Sequence, residues 1–504
     1  GNLDQAKSVL NQIIMETPSG PEASKARTLV REVYAQQFAE QAAEVADDPL
    51  PPAPRVPPPP VNPFVLTEKD HQSTFALEAD TAAYTLARRY IRQGYLPPVG
   101  VVRMEEFINA FDYNYPRRAG QTFSVHSEAA PAPNGAGLVL LKIGVKGRIV
   151  GRDGRKPAHL VFAIDASGSM GREDRMPLVK YALTLLLDQL GPKDRISLIA
   201  YGTHARLLLE AVPATERKRI PAALNAIECG ASTNILSGIE LGYQVAARYF
   251  EPGQVNRVIL CSDGVANVGP SDAETLLKRV ETYRDQGISF TSVGVGAGSY
   301  DDHLLEQLAN KGDGNYIFID SKNEAKRAFA ENMSATIQMI AKDVKIQVEF
   351  NEKRVRRYRL IGYENRAVAD KDFRNDAVDA GEIGSGQSAT ALYELELIPG
   401  NQDDLGTVYV RYKDIDRGGV HEFPSRLRSG SIMDRTPERH PRFFLAACVA
   451  EFAELLRASE HAQGGALQDL EQTMIRVANA LPLDERVQEL LLLVQKAQGL
   501  PRAK

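Results

Sequence analysis

The chain has 504 residues, 43% of them hydrophobic and 25% charged, enough to bury several cores and, by length, to form roughly three or four domains. Its 60 lysines and arginines against 65 aspartates and glutamates leave a formal charge of -5, with no basic block able to neutralise a row of phosphates, which argues against nucleic acid as a partner. No apolar run approaches the roughly 20 residues needed to cross a bilayer, the longest being broken by Arg, Glu or Gln.

The first residue is Gly1, and neither a basic n-region nor an apolar h-region follows it, so the chain is expected to be a fragment whose targeting segment, if any, lies outside it. Residues 1–46 read as two short amphipathic helices. Leu3, Ala6, Leu10, Ile13 and Ile14 form one apolar face, and Leu29, Val30 and Val33 continue it after a Pro-Ser-Gly-Pro break. They are either the end of a tetratricopeptide-like repeat or a lone helical hairpin. Residues 47–63 are Pro-rich and favour an extended, semi-rigid spacer.

Residues 64–157 are expected to form a small α+β module, with helices near Thr81–Gln93 and Val102–Phe111 and strands through Phe123, Val125 and Leu138–Val145. From 158 to 341 short apolar runs alternate with amphipathic helices, the pattern of a doubly wound, mostly parallel α/β sheet. Its six strands are placed at Leu160–Asp165, Ile196–Tyr201, Leu207–Glu210, Val258–Asp263, Ile288–Val295 and Tyr316–Ile319. Ser271 with Glu274, and Ser321 with Glu324, have capping-box spacing, and Ser299 or Asp301 is expected to cap the helix through Leu308. Residues 342–430 shift to a period of two at Val344, Ile346, Val348 and Phe350, a β-rich module, and 431–504 return to helix through Phe443, Phe444, Phe452 and Leu490–Val494. Cys229, Cys261 and Cys448 lack zinc or disulfide-framework spacing and are expected as buried thiols; their scarcity fits the cytosol and the cell envelope alike.

The densest chemical signal is Val161-Phe-Ala-Ile-Asp165-Ala-Ser167-Gly-Ser169-Met. An apolar strand runs into a carboxylate and then two hydroxyls at alternate positions, so one turn can aim three oxygens at one point. Gly230-Ala-Ser-Thr233 adds a hydroxyl on a loop before a helix, and Val258-Ile-Leu-Cys-Ser-Asp263-Gly a carboxylate at the end of another strand. Open α/β sheets bind ligands beyond the carboxyl ends of their strands, where these three loops can converge. Oxygen donors of this kind suit Mg²⁺, which takes octahedral coordination at about 2.0–2.1 Å and keeps several waters.

Asp-x-Ser-x-Ser, then Thr, then Asp, in this order and these strand contexts, resembles the metal-ion-dependent adhesion site of von Willebrand factor type A domains. Asp165, Ser167, Ser169, Thr233 and Asp263 match it position by position. The resemblance implies the Rossmann-like type A fold and a divalent ion, Mg²⁺ with Mn²⁺ or Ca²⁺ as alternatives, whose shell a Glu or Asp of a partner protein completes. Asn62-Pro-Phe, Gln93-Gly-Tyr-Leu-Pro-Pro98, Phe111-Asp-Tyr-Asn-Tyr-Pro116, Asp343–Phe350 and Tyr358–Arg366 extend it to the flanking modules of a bacterial subfamily, over roughly Asn62 to the C-terminus. Members of that subfamily are often envelope-associated, which the localisation expected here follows. Some carry a calcium-activated chloride channel label, which this chain, without a channel segment or a His-Glu-x-x-His motif, does not support. After Asp263 the sequence Gly-Val-Ala-Asn-Val-Gly269 departs from the family by lacking a second acidic residue.

No histidine lies in the three loops to act as a base, and His159 sits at the start of a buried strand, so binding rather than catalysis is expected. Gly294-Val-Gly-Ala-Gly298 lacks the full dinucleotide fingerprint and reads as a tight turn. A metal that only staples the loops is one alternative; another is a cap in cis from Asp370, Asp372, Asp376, Asp379 and Glu382. The second functional reading is an adaptor for a separate ATP-driven chaperone or chelatase-like motor, since the chain has no phosphate-binding loop of its own.

Overall fold

The computed structural model describes the chain except residues 1, 18–19, 47, 49, 51–59, 78, 119, 134–136, 152–153, 231, 265–272, 297–301, 333–334, 336, 401, 433–434, 463–465 and 504. Two helices, α1 (Asn2–Glu16) and α2 (Pro21–Glu44), form a hairpin. The buried stripe of α2 is Ala23, Ala26, Val30, Tyr34, Phe38 and Ala42, at spacings of three and four. Leu29 is exposed instead of joining that face, because it lies one position, about 100° of helix rotation, away from Val30. The hairpin does not stand alone: Val30 and Tyr34 share a core with Leu492, and Lys7 pairs with Glu485 at 2.5 Å.

Then come β1 (Val65–Leu66), β2 (Gln72–Ala76), α3 (Ala82–Arg92), α4 (Met104–Asn109), β3 (Phe123–Pro131) and β4 (Leu138–Gly147). The α/β domain follows as β5 (Ala158–Asp165), α5 (Met176–Leu187), β6 (Arg195–Tyr201), β7 (Ala205–Pro213), α6 (Arg219–Asn225), α7 (Ile235–Arg248), β8 (Val255–Ser262), α8 (Ala273–Arg284), β9 (Ile288–Val295), α9 (Asp302–Lys311), β10 (Tyr316–Ile319) and α10 (Lys322–Lys326). Its sheet order is β10-β9-β8-β5-β6-β7, with β7 alone antiparallel. All eight residues of β5 are buried, as a central parallel strand covered on both faces requires. Leu160, Phe162 and Ile164 face α5 and α6, while Val161 and Ala163 face the other core with α7. Gly238 lets α7 lie close to the sheet, since a Cβ there would stand 2.6 Å from the Tyr201 ring. Ser321 caps α10, its Oγ accepting from Glu324 N at 3.3 Å. The Ser271 box and the Ser299 or Asp301 cap lie outside the described residues.

The chain continues through β11 (Met339–Phe350), β12 (Val355–Ile361), β13 (Gly381–Gly384), β14 (Ser388–Leu397), β15 (Gly406–Asp414) and β16 (Val420–Leu427). One sheet runs β1-β12-β14-β4-β3; the other runs β13-β11-β15-β16, with β2 also paired to β11. Strands from 64–157 and 342–430 therefore share both sheets, and the two share one core, with Leu141, Ile143 and Tyr393 meeting Val344, Ile346 and Val408. Helices α11 (Pro441–Arg457), α12 (Leu467–Ala480) and α13 (Glu485–Ala497) close the chain, packing with α3 and α4 on the Val161 face of the α/β sheet. Among the described residues no helix is long and apolar enough to cross a membrane.

Candidate metal centre

The strand order reverses at β5, whose neighbours β6 and β8 lead the chain away on opposite sides. A crevice opens at such a switch point beyond the strand ends, and Asp165 ends β5 there while Asp263 follows β8 directly. The turn after Asp165 folds back on its carboxylate: Ser167 N donates to Oδ1 at 2.8 Å, and Ser262 Oγ donates to Oδ2 at 3.1 Å. Ser167 and Ser169 bring their Oγ atoms within 3.0 Å of each other. Ser167 is buried and Ser169 exposed, so the turn passes from the interior to the rim.

Backbone bonds fasten the third loop to the same place. Gly230 N donates to Ala166 O at 3.1 Å and Asn234 N to Gly202 O at 2.9 Å, which brackets Thr233 between the ends of β5 and β6. Asn234 then caps α7, its Oδ1 accepting from Ser237 N at 3.1 Å. Thr233 Oγ1 and Asp263 Oδ1 are buried without a hydrogen-bond partner among the described residues. Unpaired buried oxygens of this kind cost about 1–3 kcal/mol each unless something else binds them.

Burial pushes the Asp165 carboxyl up to about 6, against the bonds from Ser167 and Ser262, and the charge of Asp263 pushes it the same way. Two buried carboxylates beside hydroxyls, with two unpartnered oxygens, fit a hard divalent cation. Asp165, Ser167, Ser169, Thr233 and Asp263 are the residues that could hold it. Among the described residues no three His, Cys, Asp or Glu side chains gather as a metal-binding group, and this set contains only two of those.

Two residues of the site escape a reading of the motif. Ser262 braces Asp165 and also accepts from Gly264 N at 3.1 Å. Arg175, 5% exposed, donates Nη1 both to Asp263 Oδ2 and, at 3.0 Å, to Ser169 O. The only sequence signal for Ser262 is its place before Asp263; Arg175 has none, since its carboxylate partner lies 88 positions away.

The remaining candidates lie elsewhere. His159 is buried, its Nε2 2.9 Å from Ser197 Oγ, and burial lowers it to about 4. In the acidic run Asp370 accepts from Thr74 at 2.5 Å, Asp376 pairs with Arg411 at 2.8 Å and Asp379 approaches Arg284 at 3.9 Å. Those contacts are with β2, β15 and α8, not with the loops that carry Asp165, Thr233 and Asp263. Cys261 and Cys448 are buried thiols, but Cys229 is only half-buried because its loop is at the surface. The residues after Gly264, where a second acid is missing, lie outside the described ones.

Residues 159–332 match the family model described as von Willebrand factor type A domain, 59–142 one described as von Willebrand factor, and 335–399 one described as Uncharacterized protein YfbK, C-terminal. A relative in Escherichia coli (strain K12), "Uncharacterized protein YfbK", is 32% identical over 467 residues, covering 87% of this chain and 80% of the relative. The chain belongs to the YfbK family of bacterial type A domain proteins. The magnesium-chelatase 60 kDa subunit of Rhodobacter capsulatus matches a shorter piece, 32% identical over 139 residues, 27% of this chain and 24% of that protein. Among solved structures, a von Willebrand factor type A protein from Catenulispora acidiphila has a TM-score of 0.41 at 16% identity, covering 73% of this chain and 88% of that one. A type A domain assigns this YfbK-family chain a protein-interaction role in general terms, and its sheet is the α/β fold such a domain implies.

Proposed function

We propose that the type A domain holds one Mg²⁺ at Asp165, Ser167, Ser169, Thr233 and Asp263 and uses it to capture an acidic side chain of a partner protein, without catalysis. The carrying observation is the pair of buried, unpartnered oxygens, Thr233 Oγ1 and Asp263 Oδ1, on loops tied to the turn that presents Asp165. When bound, the ion supplies a Lewis-acidic position for a carboxylate. The chain's part is to hold two carboxylates and three hydroxyls at the sheet edge and to leave the Ser169 side open to solvent. Surrounding protein surface would provide most of the affinity. Mn²⁺ or Ca²⁺ could replace Mg²⁺, and the envelope is the compartment we assign, testable by fractionation.

Calorimetric titration of Mg²⁺ into the chelator-treated protein, beside Asp165→Ala, tests the reading. One site in the wild type, none in the variant, and a partner released by chelator are the expected results. A wild type that binds no divalent ion refutes it. The match to a magnesium-chelatase subunit favours, as a second reading, an adaptor for a separate ATP-driven motor. Chelator-sensitive co-purification with an ATPase would select that one.

A further inference from the structure

Arg175 stands inside the site without belonging to the ligand motif. It opens α5, is 5% exposed, and its guanidinium bridges Asp263 Oδ2 and Ser169 O, joining the end of β8 to the Asp-x-Ser-x-Ser turn. The fold makes room for it. Gly296, at the end of β9 with φ +79, lies where a Cβ would stand 2.5 Å from Arg175 Cγ and 2.6 Å from Nε, so the arginine stem occupies space that any other residue at 296 would fill. Behind it stands Asp174, already bonded to Arg89 Nη2 at 3.2 Å, with Oδ1 4.0 Å from Arg175 Nε. Asp263 Oδ1, by contrast, is left unpartnered.

We infer that Arg175 is a built-in counter-cation, a positioning residue that holds Asp263 in place before metal arrives and weakens metal binding once it does. The inference rests on the proposed metal reading of this site. Before metal binds, Arg175 offsets the charge of Asp263 and keeps two loops in register, so the site is assembled without the ion. With metal bound, two carboxylates, a divalent ion and a guanidinium carry one net positive charge, which disfavours the ion and favours an incoming carboxylate. Asp174 gives the guanidinium a second partner when Asp263 turns toward the ion. A like charge at this range in a partly dry site is worth about tenfold in a binding constant.

The test is calorimetric titration of Mg²⁺ into the chelator-treated full chain for wild type, Arg175→Gln, Arg175→Lys and Asp165→Ala, with melting of each in chelator. Arg175→Gln is expected to bind Mg²⁺ about tenfold tighter than wild type yet to melt lower in chelator, and Arg175→Lys to return both toward wild type. A brace with no electrostatic role would give the opposite sign, so Arg175→Gln binding Mg²⁺ no tighter than wild type overturns the inference while leaving the metal site standing. If neither binds, the metal reading fails and the inference with it; Asp165→Ala shows whether any heat seen belongs to this site.

Discussion

Arg88, on α3, is 1% exposed and reaches Asp320 at 2.5 Å, Glu489 at 3.2 Å and Glu324 at 3.3 Å, so one guanidinium serves carboxylates from the α/β domain and from α13. Asp320, Glu324 and Glu489 are all held below the ordinary carboxylate range; burial works against this, and the neighbouring arginines overcome it. Arg88→Met keeps the bulk and removes the charge. Breaking a buried pair from one side costs about 3–5 kcal/mol. The lower end, about 3 kcal/mol, is expected here, because Arg92 still reaches Glu489 at 2.5 Å and Arg486 still reaches Glu324 at 2.7 Å. Depressed carboxyls contribute stability above their unfolded value, about 4, and lose it as pH falls. The deficit of Arg88→Met should therefore be full at pH 7 and shrink below about pH 4. Urea titration of both proteins across this range, with hydrogen exchange on α3 and α13 to localise the loss, measures it. A deficit under about 1 kcal/mol, or one unchanged by pH, would refute the electrostatic account.

Glu105 behaves in the opposite sense: burial, then the charges of Glu106 and Glu364, push it up to about 7, although Tyr363 N donates to it at 3.0 Å. Its contribution is fully present below about 4.5 and is lost as pH rises through 7, so Glu105→Gln should match wild type at about pH 4 and exceed it at about pH 8 in denaturant titration; equal gaps at both would dismiss the shift. Gly238→Ala should destabilise by about 1–2 kcal/mol, since the 2.6 Å clash with Tyr201 outweighs the helical preference of alanine, and should also weaken Mg²⁺ binding because Tyr201 O accepts from Ala166 N beside Asp165. A neutral or stabilised variant in thermal melts would contradict this. Of the three thiols only the half-buried Cys229 should react with a maleimide in the native protein, burial having pushed Cys261 up to about 12; mass spectrometry of labelled peptides would expose an error if Cys261 or Cys448 reacts as fast.

The α/β domain was legible because its strands announce themselves as separate apolar runs, and Ile288–Val295 and Tyr316–Ile319 fall where the sequence places them. The candidate ligands could be named because Asp165, Ser167 and Ser169 alternate within one turn, Thr233 lies just before α7 and Asp263 just after β8. Strand partnership was not: β2, before the α/β domain, pairs with β11, after it, and a period of two says which face is buried but not which strand lies alongside. Arg88, Arg89 and Arg92 on α3 belong by residue type to water, yet all are buried, because their carboxylate partners come from segments far away in sequence. Arg175 is hidden for the same reason.

These arginines connect the candidate site to the flanking segments. Asp174, next to Arg175, accepts from Arg89 Nη2 at 3.2 Å and lies 3.4 Å from Arg172; Arg89 also reaches Asp48, beyond the end of α2, at 2.7 Å. Alternating charges thus run from the Asp165 turn through Asp174 and α3 to the segment after the helical hairpin. Such a series does not by itself make a signalling path, for which a second arrangement of the same groups is needed. What it does explain is how a turn with Ser169 exposed is braced from outside its own loop. Arg89 and Arg172 anchor Asp174, α3 is fully buried between the α/β sheet and the C-terminal helices, and the positions of Arg175 and Asp263 follow from that. The flanking segments therefore belong to the site's architecture as much as the ligand loops do.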